Sequence, residues 1–148
     1  MSQRHSEYAR MPGDTYVTPQ WVYDALYSVE PWAKDAWDCA PINSDFDFLD
    51  ITFLPRDIAT NPPFSLANEF CRHGLQCGRM AMLLPLNFDA AKGRRDLFAD
   101  NKSFKAQHVL TKRIRWENLV QKKAGPSQNH CWYVWDHGHT GPPIKGWL

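Results

Sequence analysis

The sequence predicts an α/β domain with a mixed central sheet flanked by helices, and three stretches carry that expectation. Met80-Ala81-Met82-Leu83-Leu84 is a continuous apolar run closed by Pro85, the pattern of a strand buried on both faces. Val22, Ala25, Leu26 and Val29 recur at i, i+3, i+4 and i+7, the spacing of one helical face. Ile58 to Thr60 runs into Asn61-Pro62-Pro63-Phe64-Ser65 and then Leu66, Phe70 and Leu75. That order reads as strand, stiff loop and helix, the unit that sets ligand sites at strand C-termini in open α/β sheets.

The 148 residues suffice for one domain with a substantial core and are too few for two. Residues 1–13 read as a flexible polar tail and 14–148 as a single domain. A content of 43% hydrophobic and 14% aromatic residues is that of a folded chain. No apolar run approaches the ~18 residues of a membrane span. The polar N-terminus lacks the apolar centre of a secretory signal, so a cytoplasmic location is expected. The formal charge is only +1, so affinity for nucleic acid has to come from local patches. Cys39, Cys71, Cys77 and Cys131 are scattered and expected as reduced core thiols. Neither Cys71, His73 and Cys77 nor His137 and His139 has a paired CxxC half, so no metal is expected.

Taken in order, Asp14-Thr15-Tyr16-Val17 is a β-prone approach to Thr18-Pro19. Thr18 is placed to cap, and Pro19 to begin, a helix over 19–29. Glu30-Pro31 stops it. Trp37-Asp38-Cys39-Ala40 reads as a short buried strand ended by Pro41, with polar Asn43-Ser44-Asp45 beyond. A strand ending in an acid and a small residue is a common place for a nucleoside, although no GxGxxG is present. Phe46 to Leu54 predicts a short strand or tight turn. Ser65 is a candidate N-cap for a helix from about Leu66 to Gln76, ending near Gly78. Residues 89–99 predict a helix interrupted by Gly93, and Val109 to Trp116 and Asn129 to Asp136 predict two late strands.

The loop after Thr60 has a chemistry of its own. Prolines lack the N–H and fix φ, so Pro62 and Pro63 take the chain abruptly out of the sheet. The lone pair of an adenine or cytosine amino group is delocalised into its ring. Two acceptors set against its N–H bonds localise that pair toward an electrophile, and Asn61 Oδ1 and the Pro62 carbonyl are candidates. Phe64 is placed to stack on a base flipped out of a duplex. A proline-rich surface turn is the competing reading of the same residues.

Charge is concentrated in 92–123, which holds Arg94, Arg95, Lys112, Arg113 and Arg115 among others. A solvated face accounts for most such runs, but Trp116 and Trp132 interleave with these cations as on a phosphate-tracking surface.

The ordered set of Asp14 to Val22, Trp37 to Asn43, Asn61-Pro62-Pro63-Phe64, Ala81 to Pro85, Lys112 to Trp116 and Trp132 to Trp135 resembles phage-type DNA N6-adenine methyltransferases. These are compact enzymes that use S-adenosylmethionine on a Rossmann-like sheet. The resemblance spans most of residues 14–136. It implies that Thr18 and Pro19 touch the methionine end of the cofactor, and that Asp38, Ala40 and Asn43 line its cleft. Asn61, Pro62, Pro63 and Phe64 become the catalytic loop. The implied partner is double-stranded DNA with a flipped base, in the host cytoplasm if the chain is phage-encoded. A chain this small leaves no separate target-recognition domain, so a loose site or a second copy in a homo-oligomer is expected. Cytosine N4, an RNA base, or a degenerate fold serving as a binding module are the alternatives.

Overall fold

The computed structural model describes residues 17–40, 47–116 and 128–148. The proposed tail, Asp14-Thr15-Tyr16 and Asn43 lie outside them. Among the described residues, two α-helices, α1 (Gln20–Val29) and α2 (Ala67–Gly74), pack on five strands: β1 (Asp57–Thr60), β2 (Arg79–Pro85), β3 (Phe104–Val109), β4 (His130–Asp136) and β5 (Ile144–Trp147). The sheet order is β1-β2-β4-β3-β5. β1 and β2 are parallel, β4 is antiparallel to both β2 and β3, and β5 is parallel to β3. The fold is therefore α/β with an open mixed sheet, as expected, and only β4 runs against the others.

Alternation along β2 explains the layers. Met80, Met82 and Leu84 join Phe70 and Cys71 of α2 on one face, with Phe48, Tyr133 and Trp135. Ala81 and Leu83 join Val22 and Leu26 of α1 on the other, with Trp132 and Val134. Val22 and Leu26 are fully buried, each contributing about 1.5–3 kcal/mol by leaving water. The two buried indoles satisfy their N–H groups on carbonyls: Trp132 Nε1 donates to Val22 O at 3.0 Å and Trp135 Nε1 to Leu97 O at 2.7 Å. Gly74 ends α2 where a Cβ would collide with Met80 and Ile58, so the absent side chain lets the helix close on the sheet.

Several elements differ from their sequence-based expectation. Trp37 makes a single parallel bridge to Ile58 in place of a strand over 37–40, held by Trp37 N–H to Asp57 O at 3.1 Å and Ala59 N–H to Trp37 O at 3.0 Å. Ser65 caps nothing. The Phe64–Leu66 stretch is a 3₁₀ turn that leads into α2 without a side-chain cap. Thr18 caps nothing either, since Pro19 occupies the N-cap position of α1. The helix expected over 89–99 is a chain of turns around a 3₁₀ turn, Lys92–Arg94, with Gly93 inside that turn, where its backbone entropy disfavours a continuous helix. The strand expected over 109–116 ends at Val109 instead, and β3 lies entirely upstream but for that residue. The tight turn near Phe48 is present as Phe48–Asp50, capped by Asp47. β5 has no counterpart in the sequence reading.

Candidate functional site

β1, β2 and β3 point the same way, so Thr60, Pro85 and Val109 end on one edge of the sheet. The parallel bridge at Trp37 brings Asp38 to that edge too. Two hydrogen-bonded groups meet there. Asp38 Oδ1 accepts from Thr60 Oγ1 at 2.5 Å and from the Ala40 N–H at 3.1 Å, while Oδ2 accepts from the Tyr23 hydroxyl at 3.2 Å. Beside Thr60, Asn61 Nδ2 donates to Thr18 Oγ1 at 3.1 Å. One edge thus joins the start of α1, the Trp37 segment and the exit of β1. Thr18, Asp38, Ala40 and Asn61, which the family resemblance implies as site residues, lie at this edge; Asn43 is outside the described residues.

The stiff loop runs from a buried start to an exposed end. Pro62 and Pro63 are buried, whereas Asn61 is half-buried and Phe64 is 64% exposed. The Pro63 carbonyl accepts from the Leu66 N–H at 3.0 Å. Among the described residues, the Pro62 carbonyl and Asn61 Oδ1 take no hydrogen bond. A neighbouring amine could therefore meet one side-chain and one main-chain acceptor.

Local electrostatics keep the surrounding groups neutral. Burial, reinforced by the Asp38 carboxylate, holds the Tyr23 phenol far above its usual range. Burial and then Asp38 likewise raise the Cys39 thiol, and burial raises Cys77 and Cys131 to about 11. None of these thiols is a thiolate nucleophile near neutrality. Among the described residues no three His, Cys, Asp or Glu side chains gather as a metal site.

The basic residues divide. Lys112, Arg113 and Arg115 are exposed just beyond the end of β3, on the edge that carries Asn61. Lys112 Nζ sits 5.1 Å from the centre of the Trp21 ring, and Arg113 Nε donates to Asn129 Oδ1 at 3.0 Å. Arg94 faces inward instead: it donates to Asn68 Oδ1 at 2.7 Å and Phe88 O at 2.8 Å, and lies 3.8 Å over the Phe88 ring. Arg95 pairs with Asp100 at 3.1 Å. The sequence reading missed Tyr23, Thr60 and Asn68 as the partners of Asp38 and Arg94, because no local spacing links residues so far apart in the chain.

A groove of ≈ 410 Å³ near Phe98, Lys102 and Phe104 lies by the start of β3, away from this edge. Its Asn101 side chain already bonds Ser103 and Asp96 O, and its Asp100 pairs with Arg95.

By architecture the chain belongs with α/β domains built on an open mixed sheet. Among the described residues no helix is long and apolar enough to cross a membrane. No protein-family model, curated protein or solved structure matches the chain.

Proposed function

We propose that this protein transfers a methyl group from S-adenosylmethionine to the N6 amine of adenine in DNA, on a Rossmann-like sheet. The observation that carries this reading is the pair of acceptors, Asn61 Oδ1 and the Pro62 carbonyl, that take no hydrogen bond among the described residues, on a loop leaving a parallel strand. Both would accept from the amine and draw its lone pair out of the ring. That interaction strengthens as the nitrogen gains positive charge, so it favours the transition state over the ground state.

The residues around Asp38 fit a nucleoside cofactor. Among the described residues Oδ2 takes only the Tyr23 bond, which leaves it capacity for a ligand hydroxyl. Pro19, Asp38 and Ala40 would hold S-adenosylmethionine, which would supply an electrophilic methyl group when bound. Transfer would break the methyl–sulfur bond, release S-adenosylhomocysteine and shed one amine N–H proton to solvent, so the chain's task would be orientation more than general-base catalysis. Phe64, exposed at the loop's end, would stack on the extruded base. Lys112, Arg113 and Arg115 would hold phosphates beside it.

The test is transfer of labelled methyl to duplex DNA, with the modified base identified after digestion, alongside calorimetry with S-adenosylmethionine. N6-methyladenine supports the reading. Label on cytosine N4 or on RNA moves the acceptor and keeps the chemistry. Cofactor binding and transfer both absent would leave a binding module.

A further inference from the structure

Thr18 has the position of a helix cap and does not act as one. Pro19 occupies the N-cap of α1, with no side-chain cap bond, and Thr18 Oγ1 receives Asn61 Nδ2 instead. Resting on the methyl-transfer reading above, we infer that Thr18 is a positioning residue for Asn61: its hydroxyl anchors the amide through Nδ2 and so holds Oδ1 in place for the base.

An asparagine amide has a donor end and an acceptor end. Turned over, it would set N–H against N–H of the substrate amine and repel it. Holding Nδ2 on the Thr18 hydroxyl leaves Oδ1 as the end available to the base. The hydroxyl is itself well fixed. Pro19 is buried and its carbonyl accepts from the Val22 N–H at 3.1 Å. One turn further, the Val22 carbonyl accepts from the Trp132 indole and Tyr23 reaches Asp38. The start of α1 is thus clamped to the sheet at two points, and Thr18 cannot drift from the strand it orients. This gives Thr18 a role on the base side of the site, whereas family resemblance implies one at the cofactor's methionine end.

The two assignments separate experimentally. Thr18→Val keeps the shape and removes the hydroxyl. It should lower kcat about ten- to a hundredfold while leaving the dissociation constant for S-adenosylmethionine within about twofold, and Thr18→Ser should restore kcat. In ¹⁵N-labelled protein, the Asn61 side-chain amide protons should exchange slowly in wild type and Thr18→Ser, and fast in Thr18→Val. Thr18→Ala serves the same purpose if the valine variant fails to fold. Weakened cofactor binding with kcat intact would overturn the inference and return Thr18 to the cofactor. Unchanged kcat and unchanged amide exchange would overturn it as well. A wild type that transfers no methyl at all sinks the methyl-transfer reading and the catalytic role of Thr18 with it, while the exchange data still report on the hydrogen bond.

Discussion

Asp38 and Asn61 sit side by side on one edge and answer to different tests. Thr60 is fully buried and gives its hydroxyl to Asp38. Asp38→Ala leaves that donor unsatisfied, at a cost of about 1–3 kcal/mol, and should weaken cofactor binding in the same protein. Tyr23→Phe removes only the bond to Oδ2; it should cost about 1 kcal/mol and spare cofactor affinity. Urea unfolding and calorimetry on both variants check this, and an Asp38→Ala protein that binds cofactor like wild type would remove Asp38 from the cleft. Asn61 carries no comparable structural duty, since its side chain bonds only Thr18 among the described residues. Asn61→Ala should therefore lower turnover on the order of 10²–10³-fold with stability and cofactor binding little changed. Phe64→Ala should weaken DNA capture by roughly 1–3 kcal/mol, and rapid transfer by folded Asn61→Ala would refute the loop mechanism.

Among the elements, the segment after β3 and the turns after β2 look alike in sequence, both being basic, yet the fold uses them differently. Lys112, Arg113 and Arg115 are exposed on the edge of the Asn61 loop, whereas Arg94 ties Phe88 to Asn68 at the start of α2. Replacing Arg113 and Arg115 by alanine should flatten the salt dependence of DNA binding by about 0.9 in slope for each phosphate no longer neutralised. Arg94→Ala should lower stability and leave that slope alone. An unaltered slope in the double variant would make the segment an ordinary solvated face. The contrast also marks what sequence could reveal. β2, α1 and β4 are legible because each buries an unbroken apolar pattern. β3 is misplaced because Lys105, Gln107 and His108 look solvent-facing, although His108 is buried against Glu30 and Gln107 reaches Tyr133. β5 is four residues long, mostly exposed and contains Gly146, so no periodicity announces it. At the site, the loop could be read from its prolines. Its partners could not, since Thr18 and Asn61 are 43 residues apart and Asp38 and Thr60 are 22 apart.

Across the whole molecule, one buried carboxylate ties the C-terminal end of α1 to the sheet. Glu30, at the C-terminal end of α1, is 2% exposed. Its Oε1 accepts from Trp32 Nε1 and Lys105 Nζ, each at 2.8 Å, and Oε2 lies 2.9 Å from His108 Nε2. Arg79, paired with Asp57 at 2.8 Å, stacks 5.0 Å over the Trp32 ring, so the network runs from β1 and β2 past α1 to β3. Burial alone would raise the Glu30 carboxyl; the bonds from His108, Lys105 and Trp32 outweigh it and lower the pKa from 4.5 to about 2. Between those values the unfolded chain binds a proton that the native protein refuses. The stabilisation from Glu30 is thus complete above about pH 4.5 and is lost as pH falls toward 2. His130 adds to the acid sensitivity from a higher pH, because burial lowers its pKa below 6.5 and the unfolded chain takes up its proton first. Glu30→Gln leaves Lys105 and His108 facing a neutral amide, and near neutrality it should cost on the order of 3 kcal/mol. That deficit should shrink as unfolding is measured from about pH 7 down to about pH 3, since wild type loses the same interaction by protonation. The decline due to His130 should persist in both proteins. A gap between wild type and Glu30→Gln that stays constant over this range would mean that Glu30 is held by packing and not by its charge.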